Sequence, residues 1–146
     1  KRVEEWRETR KKLESYVKEW ARLKAEEELK RAEEIGRGVK LAVVELEGKT
    51  PSEMITLGDY VRRMDKNVVV VVFSTVNDKA WLVVVAGDEV KRRGLHCGKL
   101  AGKILALIEG KGGGKPDIGQ GLGKASLIDK AKAKIPELVR EQVKVD

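Results

Sequence analysis

Residues 68–86 read VVVVVFSTVNDKAWLVVVA, and the rest of the chain can be laid out from this stretch. β-Branched and aromatic side chains suit the pleated surface of a sheet, so Val68 to Val76 predicts one strand and Ala80 to Ala86 its return. Asn77-Asp78-Lys79 supplies the turn of a hairpin. The apolar run Val68 to Phe73 is far too short to span a bilayer, and no charged-then-apolar leader precedes it, so neither membrane insertion nor secretion is expected. A cytosolic protein is the expectation.

Toward the N-terminus, Val39 to Glu47 has strand composition and Gly48 closes it. Thr50-Pro51-Ser52-Glu53 then offers a helix start: Thr50 as N-cap, Pro51 in the first turn and Glu53 completing a capping box. That helix is expected to run to about Met64. Residues 1–35 contain no Gly or Pro before the Gly36 and Gly38 break and predict one long helix. Its apolar residues recur at heptad spacing, with Trp6, Leu13 and Trp20 on one line and Thr9, Tyr16 and Leu23 on the other. Beyond Glu27 the stripe shifts phase to Leu29, Ala32 and Ile35, as though the last turns pack on a globular body.

Bulky aromatics on such a helix commonly anchor a partner surface. The stripe either packs on its own domain or pairs two copies. The second reading assigns dimerisation to Trp6, Leu13, Tyr16, Trp20 and Leu23. It divides the chain into a helical dimerisation subdomain, 1–37, and a globular subdomain, 38–146.

Net charge is +7, concentrated in one region. Residues 91–134 hold 11 Lys or Arg against three acids, Glu109, Asp117 and Asp129, which leaves the remainder near −1. A one-sided basic segment is the footprint of a phosphate-backbone binder, although it also serves simply as a solvated surface. Few Asn, Gln and Cys beside abundant Lys and Glu fit hyperthermophile composition. The single cysteine, Cys97, excludes an internal disulfide, and its only histidine neighbour is His96, so no metal site is expected.

C-terminal to the hairpin a second long helix is expected over Gly94 to Ile108. Gly94, Gly98 and Gly102 would line one face of it, and each glycine inside a helix costs about 1 kcal/mol, which implies a close-packing or binding reason. Residues 110–124, GKGGGKPDIGQGLGK, follow it. Seven glycines in the fourteen positions 110–123, interleaved with lysines, predict a loop whose exposed amides suit oxyanions. A P-loop is excluded, because Gly123-Lys124 has Ile118 where the leading glycine belongs and Ala125 where Ser or Thr belongs. No nucleophile–histidine pair or close carboxylate pair occurs there, so no catalytic residue and no cofactor is assigned.

The segment Gly112-Gly113-Gly114-Lys115-Pro116-Asp117-Ile118-Gly119-Gln120-Gly121, after a helix bearing Gly98 and Lys99, resembles the signature of the DHH-associated domain. That domain closes alanyl-tRNA synthetases and accompanies DHH-type phosphoesterases. The chain departs at Gly119, where alanine is usual, a conservative change on its face. The resemblance in element order covers about 38–142. It implies an α+β fold, with the long N-terminal helix followed by a small mixed sheet flanked by helices. It also implies a non-catalytic module of an archaeal-type alanine–tRNA ligase that dimerises and contacts the tRNA elbow.

The chain begins at Lys1 and is expected to be a piece of such a parent. On this reading RNA would meet Arg92, Arg93, Lys99, Lys103, Lys111, Gly112, Gly113, Gly114, Lys115, Gln120 and Lys124. The alternatives are the oligonucleotide-binding half of a phosphoesterase and the C-terminal domain of a free-standing alanyl-tRNA editing protein.

Overall fold

A computed structural model describes residues 2–143. In chain order the elements are α1 (Arg2–Arg31), β1 (Glu33–Glu34), β2 (Lys40–Glu47), α2 (Pro51–Met64), β3 (Val68–Val76) and β4 (Lys79–Ala86). There follow α3 (Asp88–Arg92), α4 (Cys97–Leu107), β5 (Lys111–Lys115), β6 (Ile118–Lys124) and α5 (Ile128–Gln142). The fold is the mixed α+β arrangement expected. One sheet of six strands runs in the order β1-β2-β3-β4-β6-β5, with β2 and β3 parallel across the α2 crossover and every other neighbouring pair antiparallel.

The valine run explains the layering. Along β3, Val68, Val70 and Val72 face one side while Val69, Val71 and Phe73 face the other, and all six are buried. A strand apolar on both faces needs two covers. On one side Met54, Leu57 and Val61 of α2, with Ala21 and Ala25 of α1, close over the even valines. On the other, Leu100, Ile104 and Leu105 of α4 and Ile135 and Val139 of α5 close over Val69, Val71 and Phe73. The hairpin falls where the composition put it, with Asn77 at φ 57 in the turn. The α2 capping box also forms: the Glu53 amide donates to Thr50 Oγ1 at 3.2 Å, and the Thr50 amide donates to Glu53 Oε1 at 3.1 Å.

The link between α1 and β2 is stitched to the last helix. Arg37, in a left-handed conformation at φ 58, donates from Nη1 to the carbonyls of Arg140 and Val143, each at 2.7 Å. Arg140 donates back to the Ile35 carbonyl at 3.1 Å.

Three expectations need correction. The first helix, expected over 1–35, ends at Arg31, and Glu33–Glu34 instead pair with β2 as β1. The helix foreseen over Gly94 to Ile108 is broken: Gly94, at φ 109, ends the α3 turn, and α4 begins only at Cys97. The three glycines therefore do not share a helix face. The glycine-rich segment is not a loop of exposed amides either, but the hairpin β5–β6, turning at Pro116-Asp117.

Its glycines alternate for a steric reason. A Cβ on Gly119 would sit 2.4 Å from the Ala101 methyl and 2.5 Å from the Cys97 carbonyl, one on Gly121 2.4 Å from Leu105, and one on Gly123 2.5 Å from Ile108. Across the interface, a Cβ on Gly98 would meet the Gly114 carbonyl oxygen at 2.3 Å. α4 thus lies almost in backbone contact with a floor of glycine. Alanine at position 119 is not a conservative exchange in this chain, since it requires α4 to lift.

The α4 N-terminus is fixed to the same hairpin, with the Cys97 amide donating to the Pro116 carbonyl at 3.1 Å. His96 Nδ1 caps the helix, accepting from the Lys99 amide at 3.0 Å. Burial holds the Cys97 thiol neutral, pushing its pKa up to about 11.

Gly98→Ala is expected to lower stability by about 2 kcal/mol or more, because the clash is with backbone that cannot rotate away. Gly102, with nothing within 4 Å of its notional Cβ, should tolerate alanine and gain about 0.5–1 kcal/mol. Denaturant midpoints of the two variants check the contrast. Iodoacetamide at pH 8 should leave Cys97 unmodified in the folded chain and alkylate it in urea, as read by mass spectrometry.

Candidate functional site

The β5–β6 hairpin forms one edge of the sheet, and α4 covers only one of its faces. In a strand the alternation of side chains then sorts the segment. Gly112, Gly114, Gly119, Gly121 and Gly123 lie toward α4, while Lys111, Gly113, Lys115, Ile118, Gln120 and Leu122 lie on the opposite face. Cross-strand register extends that open face onto β4, where Trp81 pairs with Leu122 and Lys79 with Lys124. The result is a rim of sheet bearing four lysines, Lys79, Lys111, Lys115 and Lys124, all exposed, beside Gln120, Gly113 and the half-buried Trp81.

On the far side of the same edge, α4 carries Lys99 and Lys103, one turn apart and both exposed. Lys99, Lys111 and Lys115 form no ion pair among the described residues. Lys124 lies 3.4 Å from Glu109 and Lys103 3.8 Å from Glu141, exposed pairs worth at most about 1 kcal/mol and easily exchanged for another anion.

The structure therefore gathers Lys99, Lys103, Lys111, Lys115, Gln120 and Lys124 around one edge, with the half-buried Gly113 in the middle of its outer strand. Of the other expected residues, Gly112 and Gly114 lie on the edge strand itself and are exposed, but a side chain at either would strike a β6 carbonyl, that of Gln120 or of Ile118. Arg92 pairs with Glu89 at 3.0 Å on α3, and Arg93 sits against the turn at Gly38, its Nη1 3.8 Å from that glycine's notional Cβ. Lys91 is held between Asp88 at 3.4 Å and Asp117 at 3.2 Å.

The basic segment also divides: Lys132 on α5 meets Glu45 of β2 at 3.3 Å, at the other end of the sheet. Lys79 and Trp81 were missed because their membership depends on the β4–β6 register, and glycine-rich β6 carries no strand signal.

The second group of expected residues lies on α1. Residues 3–16 are exposed without interruption, and Trp6 is 63 % and Tyr16 70 % accessible. Leu13 and Leu23 are exposed as well. Trp20 is half-buried, with Lys49 Nζ 4.5 Å from the centre of its ring. The helix is fastened to the body by the small pair Ala21 and Ala25, both fully buried, with Trp20, Leu29 and Ala32 packing against the same core. No helix among the described residues is long and apolar enough to cross a membrane.

Comparison with known proteins follows the fold. The DHHA1 domain pattern matches residues 38–141. Among curated proteins, the chain is 32% identical over 108 residues to the alanine–tRNA ligase of Thermoanaerobacter sp. (strain X514), covering 73% of this chain and 12% of that protein. It is 31% identical over 120 residues to the ligase of Chloroflexus aurantiacus, covering 82% and 13%. The chain thus spans about an eighth of the length of these relatives.

Among solved structures it is similar to the C-Ala domain from Aquifex aeolicus alanyl-tRNA synthetase, with TM-score 0.69, 26% identity, and 74% of this chain and 96% of that one covered. It also shares a fold with RecJ from Thermus thermophilus, TM-score 0.64 at 12% identity, over 92% of this chain and 20% of that one. The glycine floor and the helix upon it fall inside the matched span, and the chain belongs to the DHHA1 domain family.

Proposed function

We propose that this chain is the C-terminal module of an alanine–tRNA ligase, working in the cytosol, which holds tRNA at the β5 edge and joins a second copy through α1. The observation that carries the RNA half is the edge itself, where six exposed lysines on α4, β4, β5 and β6 surround a strand whose middle residue, Gly113, has nothing within 4 Å of its notional Cβ. Cations at that density neutralise a phosphate backbone, and bare main chain lets the backbone or a flat base surface come close. The module supplies grip and no chemistry of its own, supporting aminoacylation and editing elsewhere in the parent. Likeness to the C-Ala domain supports the choice of parent.

The pairing half is supported by large apolar side chains on an exposed helix whose first two turns line no recess with the body. A second reading, the oligonucleotide-binding half of a phosphoesterase, is favoured only by the fold shared with RecJ.

tRNA affinity measured from 50 to 300 mM salt should fall with a log–log slope steeper than about −2, as for several phosphate contacts. Lys111→Ala with Lys115→Ala should weaken binding about tenfold, whereas Arg92→Ala leaves it within about twofold. A flat salt dependence, or equal losses for both variants, overturns the assignment of the edge. Tighter binding of a short oligonucleotide than of intact tRNA favours the phosphoesterase reading.

A further inference from the structure

Two shallow apolar recesses flank α1 where it leaves α2. One, of about 300 Å³, lies between Arg10, Leu13, Val17 and the first turns of α2. The other, of about 240 Å³, is lined by Leu13, Tyr16, Val17, Trp20, Lys49 and Glu53. Directly along the same helix line, about two turns toward the tip, stands Trp6, the largest apolar side chain of the projecting part. Its ring is met by Arg10 of the same helix, whose guanidinium carbon lies 5.6 Å from the ring centre. A heptad repeat drifts only about 20° per heptad on a straight helix, so Trp6, Leu13 and Trp20 look in nearly the same direction. The indole cannot reach the recess of its own chain.

We infer that the Trp6 side chain of each copy seats in the recess beside Trp20 of a second copy, the two α1 helices running antiparallel about a two-fold axis at Lys12–Leu13. The inference rests on the pairing reading above and fixes its geometry. A closed pair must offer and receive the same surface, so the axis falls midway between donor and recess. Midway between Trp6 and the Val17–Trp20 turn lie Lys12 and Leu13. About that point Leu13 packs on its own counterpart, and Arg10 and Glu14, equally spaced from Lys12, face one another. These two now pair within one helix at 3.2 Å and can exchange partners across the axis without losing a charge contact.

The recess suits an indole: Trp20 gives an aromatic wall, Val17 a floor, and Lys49, already over the Trp20 ring, supplies a cation for a second face. In a parallel pair Trp6 meets Trp6 at the free tips, and both recesses stay empty.

Spin labels on Glu4→Cys and on Lys11→Cys test it in the full chain, since buried Cys97 takes no label. Antiparallel pairing makes the inter-copy distance at position 4 longer than that at position 11 by on the order of 10 Å, from the rise per residue. Equal distances at the two positions overturn the inference while leaving the dimer intact. A chain monomeric at all concentrations overturns the pairing reading itself. Trp6→Ala, on a helix turn with no body contact to lose, should weaken association at least tenfold; an unweakened dimer overturns the seating of the indole.

Discussion

A strand that is apolar on both faces cannot stay folded with one cover, and β3 imposes that requirement on everything around it. Its six residues from Val68 to Phe73 are fully buried, so α2 and α1 are drawn to one side and α4 and α5 to the other. The parallel pairing with β2 follows, because the α2 crossover that covers one face must also return the chain to the same end of the sheet. Once both covers are in place, the two outer margins of the sheet are left for other purposes. β1 is only two residues long at one margin, and the glycine-rich hairpin forms the other.

The hairpin resolves an apparent conflict between composition and structure. Glycine is a poor strand former, and seven of them in fourteen positions would ordinarily signal loop. Here alternate glycines remove every side chain on one face, so that α4 can approach to backbone distance. The opposite face keeps Lys, Gln, Leu and Ile at the intervening positions, and this is where the charge collects. One pattern therefore does two things, admitting a helix above and leaving a lysine-bearing face below.

Much of this was legible in the residues. Strong β-branched runs and a capping box are local signals, so β2, α2 and the β3–β4 hairpin lie where composition places them. The long first helix was equally plain from its lack of Gly and Pro. What the chain concealed depends on distant contacts. The floor under α4 shows only once β6 is placed beside β4, and Lys79 and Trp81 join the candidate edge by that same register. The break at Gly94 was hidden because glycines four apart look like one helix face until a positive φ takes one of them out. On α1 the conspicuous aromatics do not reveal the mooring, since the helix is held mainly through Ala21 and Ala25, residues too small to stand out in any stripe, with Trp20 packed beside them.

Arg37 and Arg140 give the arrangement a mechanical side. The root of α1 continues into a segment held by α5 through three hydrogen bonds, and α5 itself rests on the same core as α4. The projecting helix is thus a lever whose pivot is clasped by the opposite end of the chain. Through Arg37 the root of α1 is tied to α5, and α5 shares its core layer with α4, so the projecting helix and the basic edge are both anchored to one packed layer.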